Sequence, residues 1–188
     1  LLSLLYLTII NGMYYIPLHQ PIAPKFLDDL LSLGWYRMSQ HVFTTHIVDL
    51  GNQDAFEVLW ARIVLNRWTV PQRHKRLLSK CSHFKFELCE GRIDDKIEAL
   101  FKTYQQSISF DVSESVCHYL QEGKDDNFFP TKLWLVYDGS LLVAASYFDD
   151  GEKSVAGILS FFHPMYKKYS LGLLLYLHSV TWAAENNK

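Results

Sequence analysis

FFPTKLWLVYDGSLLVAASYFDDGEKSVAGILSFFHPMYKKYSLGLLLYLHSVTWA, residues 128–183, sets the fold class. Leu133–Tyr137 and Leu141–Phe148 are rich in branched and aromatic residues and read as strands. Asp138-Gly139 joins them, a dipeptide suited to a tight hairpin turn. A second turn, Asp149-Asp150-Gly151, leads to a third strand, Val155–Phe162. Asp149, Asp150 and Glu152 crowd that turn and are taken as turn residues, because a calcium loop needs more ligands at defined spacing. After Pro164 a helix is expected from about Ser170, burying Leu171, Leu174, Leu175, His178 and Trp182.

Upstream, Leu27, Leu30 and Leu31 repeat at helical spacing and Gly34 follows as a stop, which predicts a short helix over 24–33. Val58–Trp68 reads as a strand, and residues 72–80, beyond Pro71, as a short basic helix. Phe84, Phe86 and Leu88 alternate with polar neighbours, as in a half-buried strand. Asp94 and Asp95 favour a helix start, and Ile97, Leu100, Phe101, Tyr104 and Ile108 continue it as one buried face. A shorter helix over 113–121 is expected to begin with Ser113 as its cap. Helix, helix, antiparallel meander and helix together describe an α+β domain with helices packed on a mainly antiparallel sheet.

Of 188 residues, 49% are hydrophobic and 20% charged, which excludes a disordered chain. Eighteen Lys+Arg against 20 Asp+Glu leave a net charge of −2, so any contact with nucleic acid must be local. That local charge exists. Arg62, Arg67, Arg73, Lys75, Arg76, Lys80 and Lys85 fall between positions 62 and 85 with no Asp or Glu among them. Such a segment supplies salt-dependent affinity for phosphates, or is an ordinary solvated basic face. His74 and Trp68 offer stacking surfaces for unpaired bases.

Cys81, Cys89 and Cys117 show no paired spacing, so neither a disulfide framework nor a metal site is indicated, and a reduced, cytoplasmic setting fits. His41 and His46 lack metalloprotease spacing, and no P-loop, nucleophile elbow or dinucleotide fingerprint occurs. Residues 1–10 are almost wholly apolar, but as a helix they would span about half of a bilayer's hydrocarbon core. No membrane partner is therefore expected. Residues 1–12 are read as an N-terminal extension upstream of the natural start at Met13, or as a buried first strand.

Three strings resemble a known family. Residues 30–46 (LLSLGWYRMSQHVFTTH), 58–86 (VLWARIVLNRWTVPQRHKRLLSKCSHFKF) and 128–183 are similar to the arginyl- and leucyl-tRNA–protein transferases, whose C-terminal domain is GNAT-like. The resemblance covers residues 24–188. It implies transfer of an amino acid, Arg or Leu, from aminoacyl-tRNA to the N-terminal amine of an acceptor protein, the modification that marks N-end rule substrates for degradation. It also implies no bound cofactor, with aminoacyl-tRNA as co-substrate, RNA rather than DNA as partner, and acceptor proteins with exposed N-terminal residues. The expected division is an apolar extension (1–12), an N-terminal part with the basic segment (13–92), and a GNAT-like catalytic domain (93–188) lacking its last strand. Three departures stand out: no cysteine between 34 and 60, His163 where the family carries an acid before Pro164, and no strand after the last helix.

The resemblance places the acyl carbonyl against the strand Gly157–Phe162, whose free backbone N–H groups would stabilise an oxyanion; Gly157 and Ser160 lie on it. Gly157 either permits close backbone approach or is a packing glycine. His163, just past the strand, either accepts the amine proton or merely flanks the next helix. Lys167, Lys168, Ser170 and Gly172 surround the start of the last helix, where unpaired N–H groups suit a phosphate. Only one glycine stands there, which disfavours the pyrophosphate of CoA and suits the single phosphates of a tRNA end. Arg73, Lys75 and Arg76 fall on the family's basic block. The rival readings are a CoA-dependent N-acyltransferase and a non-catalytic descendant that binds RNA or protein.

Overall fold

Leu133, Leu135 and Val136 need cover on both faces of their strand, and the computed structural model, which describes residues 8–10, 13–49 and 55–188, provides it. The chain begins with strands β1 (Thr8–Ile10) and β2 (Met13–Pro17), helix α1 (Pro24–Ser32), and strands β3 (Tyr36–Met38) and β4 (His41–Thr44). A small hairpin, β5 (Ile47–Asp49) and β6 (Ala55–Glu57), follows, then a 3-10 turn at Leu65–Arg67 and helix α2 (Gln72–Lys80). The remainder comprises β7 (Lys85–Glu90), α3 (Asp95–Gln105), α4 (Val116–Gln121), β8 (Thr131–Asp138), β9 (Leu141–Asp150) and β10 (Val155–Phe162). A 3-10 helix, Pro164–Tyr169, then leads into α5 (Leu171–Glu185).

The principal sheet is antiparallel throughout, in the order β10-β9-β8-β7. Its two faces carry separate cores because side chains alternate along each strand. On one face Leu133, Leu135, Ala145, Tyr147 and Phe161 meet Ile97, Leu100 and Phe101 of α3 and Val116 and Leu120 of α4. On the other, Trp134, Val136, Ala144 and Phe148 meet Leu171, Leu174 and Leu175 of α5, with Cys81 and Phe84 beside them. Each fully buried leucine of α5 contributes about 1.5–3 kcal/mol of transfer free energy. The layered α+β arrangement is the GNAT-like one expected.

Local chemistry explains the helix ends. The Asp94 side chain accepts from the N–H groups of Lys96 and Ile97 at 3.0 Å each, so it caps α3 directly. For α4 the cap is Ser115, which accepts from His118 N–H at 2.9 Å, and not Ser113. Glu98 from α3 also accepts from Val116 and Cys117 N–H at 3.0 and 2.9 Å, pinning the two helices together. Gly34, at φ +81°, terminates α1.

Further expectations are corrected. Val58–Trp68 is not a strand: it runs irregularly into the Leu65–Arg67 turn, with Leu59 and Val64 exposed. Strand-forming residues cannot hold a strand where no neighbour supplies backbone partners. Ile108 lies beyond the end of α3. The strand expected around Phe86 and Leu88 forms as β7 and pairs with β8, which makes the sheet four strands wide. Of the apolar extension over 1–12, residues 1–7, 11 and 12 lie outside the described residues, while Thr8–Ile10 pairs with β2.

The N-terminal part forms a second sheet, β1-β2-β4-β3, which packs with α1 against Phe129 and Ala156. Arg37 joins it to the principal sheet. This buried guanidinium, on a side chain 1% exposed, donates to Asp149 Oδ1 and Thr131 Oγ1 at 2.8 Å each and to the Leu120 carbonyl at 2.7 Å, and it lies 4.3 Å over the Phe129 ring. Asp149 is fully buried. Its reading as a turn residue is thereby corrected. Burial pushes its carboxyl above the usual carboxylate range, against the pull of Arg37 and Thr131. Asp28 of α1 adds a second link, accepting from Lys153 N–H at 2.8 Å and from the Ser154 hydroxyl.

Candidate functional site

β10 is an edge strand, paired only on its β9 side among the described residues. Its register slips between Gly157 and Leu159, leaving Ile158 as an extra residue in a bulge. Bulges at edges re-aim backbone groups out of the ladder. Gly157 is exposed, and a Cβ placed there would meet nothing within 4 Å, so packing does not require glycine at this position. The Ile158 carbonyl accepts from the Tyr119 hydroxyl of α4 at 3.4 Å. Ser160, also exposed, shares a 2.7 Å hydrogen bond with Ser146 on β9. The strand thus presents backbone on its open side, while the Ser160 hydroxyl is engaged across the sheet face with β9.

His163 follows directly. Its backbone N–H donates to the Val143 carbonyl at 2.8 Å, which fixes the strand's end. The half-buried ring accepts from Met165 N–H through Nδ1 at 3.3 Å and so caps the 3-10 helix. With Nδ1 accepting, the neutral ring carries its proton on Nε2. Any proton it takes up must go to Nδ1, at the expense of that cap.

The 3-10 helix ends at Ser170, in the left-handed region at φ +49°. Its side chain makes no capping bond to α5. Lys167, Lys168 and Ser170 are exposed, and Gly172 is the second residue of the helix, beside Phe162. The same corner receives the end of α2. Lys80 Nζ donates to the Lys168 carbonyl at 2.8 Å, and Cys81 Sγ to the Tyr169 carbonyl at 3.6 Å. Two groups of cations far apart in sequence are thereby brought side by side.

Helical spacing separates the cations of α2. Arg73, Arg76 and Lys80 fall at i, i+3 and i+7 on one flank, while Lys75 lies on another. All four are exposed, and none forms an ion pair with a carboxylate among the described residues. Arg62 is not part of this surface. It donates to the Leu31 and Ser32 carbonyls and so closes the C-terminus of α1. Trp68 and His74 are half-buried, with Trp68 Nε1 and His74 Nδ1 enclosed, which makes them poor stacking surfaces.

Lys80 and Tyr169 therefore matter more than the sequence indicated. Nothing in the local pattern links residue 80 to residue 169; the packing of Cys81 and Phe84 under Tyr169 and the Lys80 bond to the Lys168 carbonyl do. A pocket of about 350 Å³ lies elsewhere, between the start of α3 and strands β8 and β9, lined by Arg92, Asp94, Asp95, Lys96, Tyr137 and Leu142. Among the described residues no group of three or more His, Cys, Asp or Glu is placed to hold a metal, and no helix is long and apolar enough to cross a membrane.

Residues 96–188, from α3 through α5, match the family model described as "Arginine-tRNA-protein transferase, C terminus". No curated protein matches the chain.

Proposed function

Residues 96–188 belong to the arginine-tRNA-protein transferase C-terminal family, and from this we propose that the chain transfers arginine from arginyl-tRNA to the N-terminal amine of an acceptor protein. The observation that carries the reading is the meeting of α2 with the turn before α5, through Lys80 and the Lys168 carbonyl. This places unneutralised cations beside the end of an open edge strand, as a phosphate-bearing acyl donor requires.

The chemistry is aminolysis of an ester. The acceptor's amine nitrogen attacks the acyl carbon, a C–N bond forms, and the C–O bond to the ribose breaks. The amine proton passes to solvent or a base, and the ribose oxygen leaves as a hydroxyl. The transient oxyanion needs donors that already point at it. Backbone N–H groups of β10 that are not paired with β9, within Gly157–Phe162, fill that role in this proposal, those at the Phe162 end lying nearest to His163. Arg73, Arg76, Lys80, Lys167 and Lys168 hold phosphates of the tRNA, and Ser170 and Gly172 leave the start of α5 open to one. No bound cofactor is needed, because the ester is already activated.

His163 is the proposed acceptor of the amine proton, at Nδ1. Its bond from Met165 N–H favours a second reading, in which the ring positions the turn and water takes the proton. The whole proposal is tested by thermal unfolding with a non-hydrolysable arginyl-tRNA analogue, a leucyl-tRNA analogue and acetyl-CoA. Stabilisation by the arginyl analogue above the leucyl one supports the reading. Stabilisation by acetyl-CoA alone would assign a CoA-dependent acyltransferase.

A further inference from the structure

Phe84 is buried at the base of the corner where α2 meets the turn before α5. Two rings stand on it. His83 lies against it with centroids 4.0 Å apart, and Tyr169 meets it edge-to-face at 5.1 Å. His83 and Tyr169 are themselves 5.5 Å apart at a steep angle. The exposed imidazole and the half-buried phenol form an aromatic step at the surface.

Two ammonium groups attend this step. Lys80 Nζ and Lys168 Nζ lie 5.2 and 5.1 Å from the Tyr169 ring centre, both within cation–π range. Neither is paired with a carboxylate among the described residues, so the ring holds two like charges together with only the Lys168 carbonyl, which accepts from Lys80, to offset them. An exposed base would displace an ammonium from the ring face, and a lysine stem is long enough to follow the adjoining phosphate. Rings for the base and ammoniums for the phosphate are the two halves of a single-strand nucleotide site. A base inside a duplex presents no free face, so duplex RNA gains nothing from the rings.

We propose that Tyr169 and His83 form a stacking step for an unpaired nucleotide at the 3′ end of the RNA donor, with Lys80 and Lys168 on its phosphates. The inference rests on the tRNA reading above and adds to it the part of the RNA that this corner selects. It makes Tyr169 and His83 binding residues that distinguish an unpaired end from a blunt one.

The test compares binding of the full chain to a short RNA hairpin carrying four unpaired 3′ nucleotides and to the same hairpin with a blunt end. Wild type should favour the overhang about tenfold, the scale of one stacked base. Tyr169→Ala and His83→Ala should lose that preference while keeping the affinity for the blunt hairpin, and Tyr169→Phe should retain it. Equal binding of both hairpins by wild type would overturn the stacking step and leave the tRNA reading standing. No binding of either RNA would count against both. Should Tyr169→Ala fail to fold, the exposed His83→Ala variant decides: an unchanged overhang preference in it would remove His83 from the step.

Discussion

Arg37 Nη1 and Asp149 Oδ1 lie 2.8 Å apart in the interior although 112 residues separate them along the chain. One comes from the N-terminal sheet and the other from the end of β9, so the pair binds the two sheets together. Buried pairs of this kind give little over an apolar alternative, but removing one partner strands the other's charge. Arg37→Ala should therefore cost about 3–5 kcal/mol in urea unfolding. Replacing both, Arg37→Met with Asp149→Leu, should cost clearly less than the sum of the single replacements. Strict additivity would show that the two groups do not act as a unit.

His178 of α5 stacks on Phe86 with centroids 3.8 Å apart, and burial pushes its pKa below the ordinary imidazole range. Below about pH 6.5 the unfolded chain takes up a proton that the folded state refuses, so stability is full above that pH and falls as pH drops toward the folded pKa. His178→Phe removes the titration and should flatten the stability profile below about pH 6.5. An equally steep decline in the variant would place the acid sensitivity elsewhere.

The α2 cations should not be equivalent. Arg73, Arg76 and Lys80 share a flank and Lys75 does not. Replacing each of the first three by Ala should weaken tRNA binding and flatten its salt dependence by nearly one unit of slope per lost phosphate contact. Lys75→Ala should do less. Equal effects from all four would mean that the helix contributes net charge without a defined face.

The Met165 N–H bond gives His163 a testable alternative to proton transfer. Asn retains a capping oxygen but cannot act as a base near neutral pH. His163→Asn should then keep most of the transfer rate that His163→Ala loses, with an unchanged pH–rate profile. Equal loss in both variants, with the acidic limb of the profile gone, would assign the proton to the ring.

The sequence carried the second half of the fold well, because its signals are local. Asp138-Gly139, the alternation through β8 to β10 and the leucines of α5 each specify structure within about ten residues. The N-terminal sheet was missed because its strands are three to five residues long and β3 and β2 both pair with β4. Val58–Trp68 misled for the converse reason, being rich in strand formers without a partner. At the candidate site, Lys167, Lys168, Arg73 and Lys80 could be singled out from charge alone. Tyr169, its neighbourhood with Lys80 and the role of Arg37 could not, since each depends on a contact across at least 80 residues of chain.

The most direct test supplies the purified chain with tRNA carrying radiolabelled arginine and with peptides that begin with Asp, Glu or Lys. The account predicts that label enters peptide through a new bond to its N-terminal amine, and that an acetylated N-terminus abolishes it. Firm binding of arginyl-tRNA with no label passing to any peptide would contradict it.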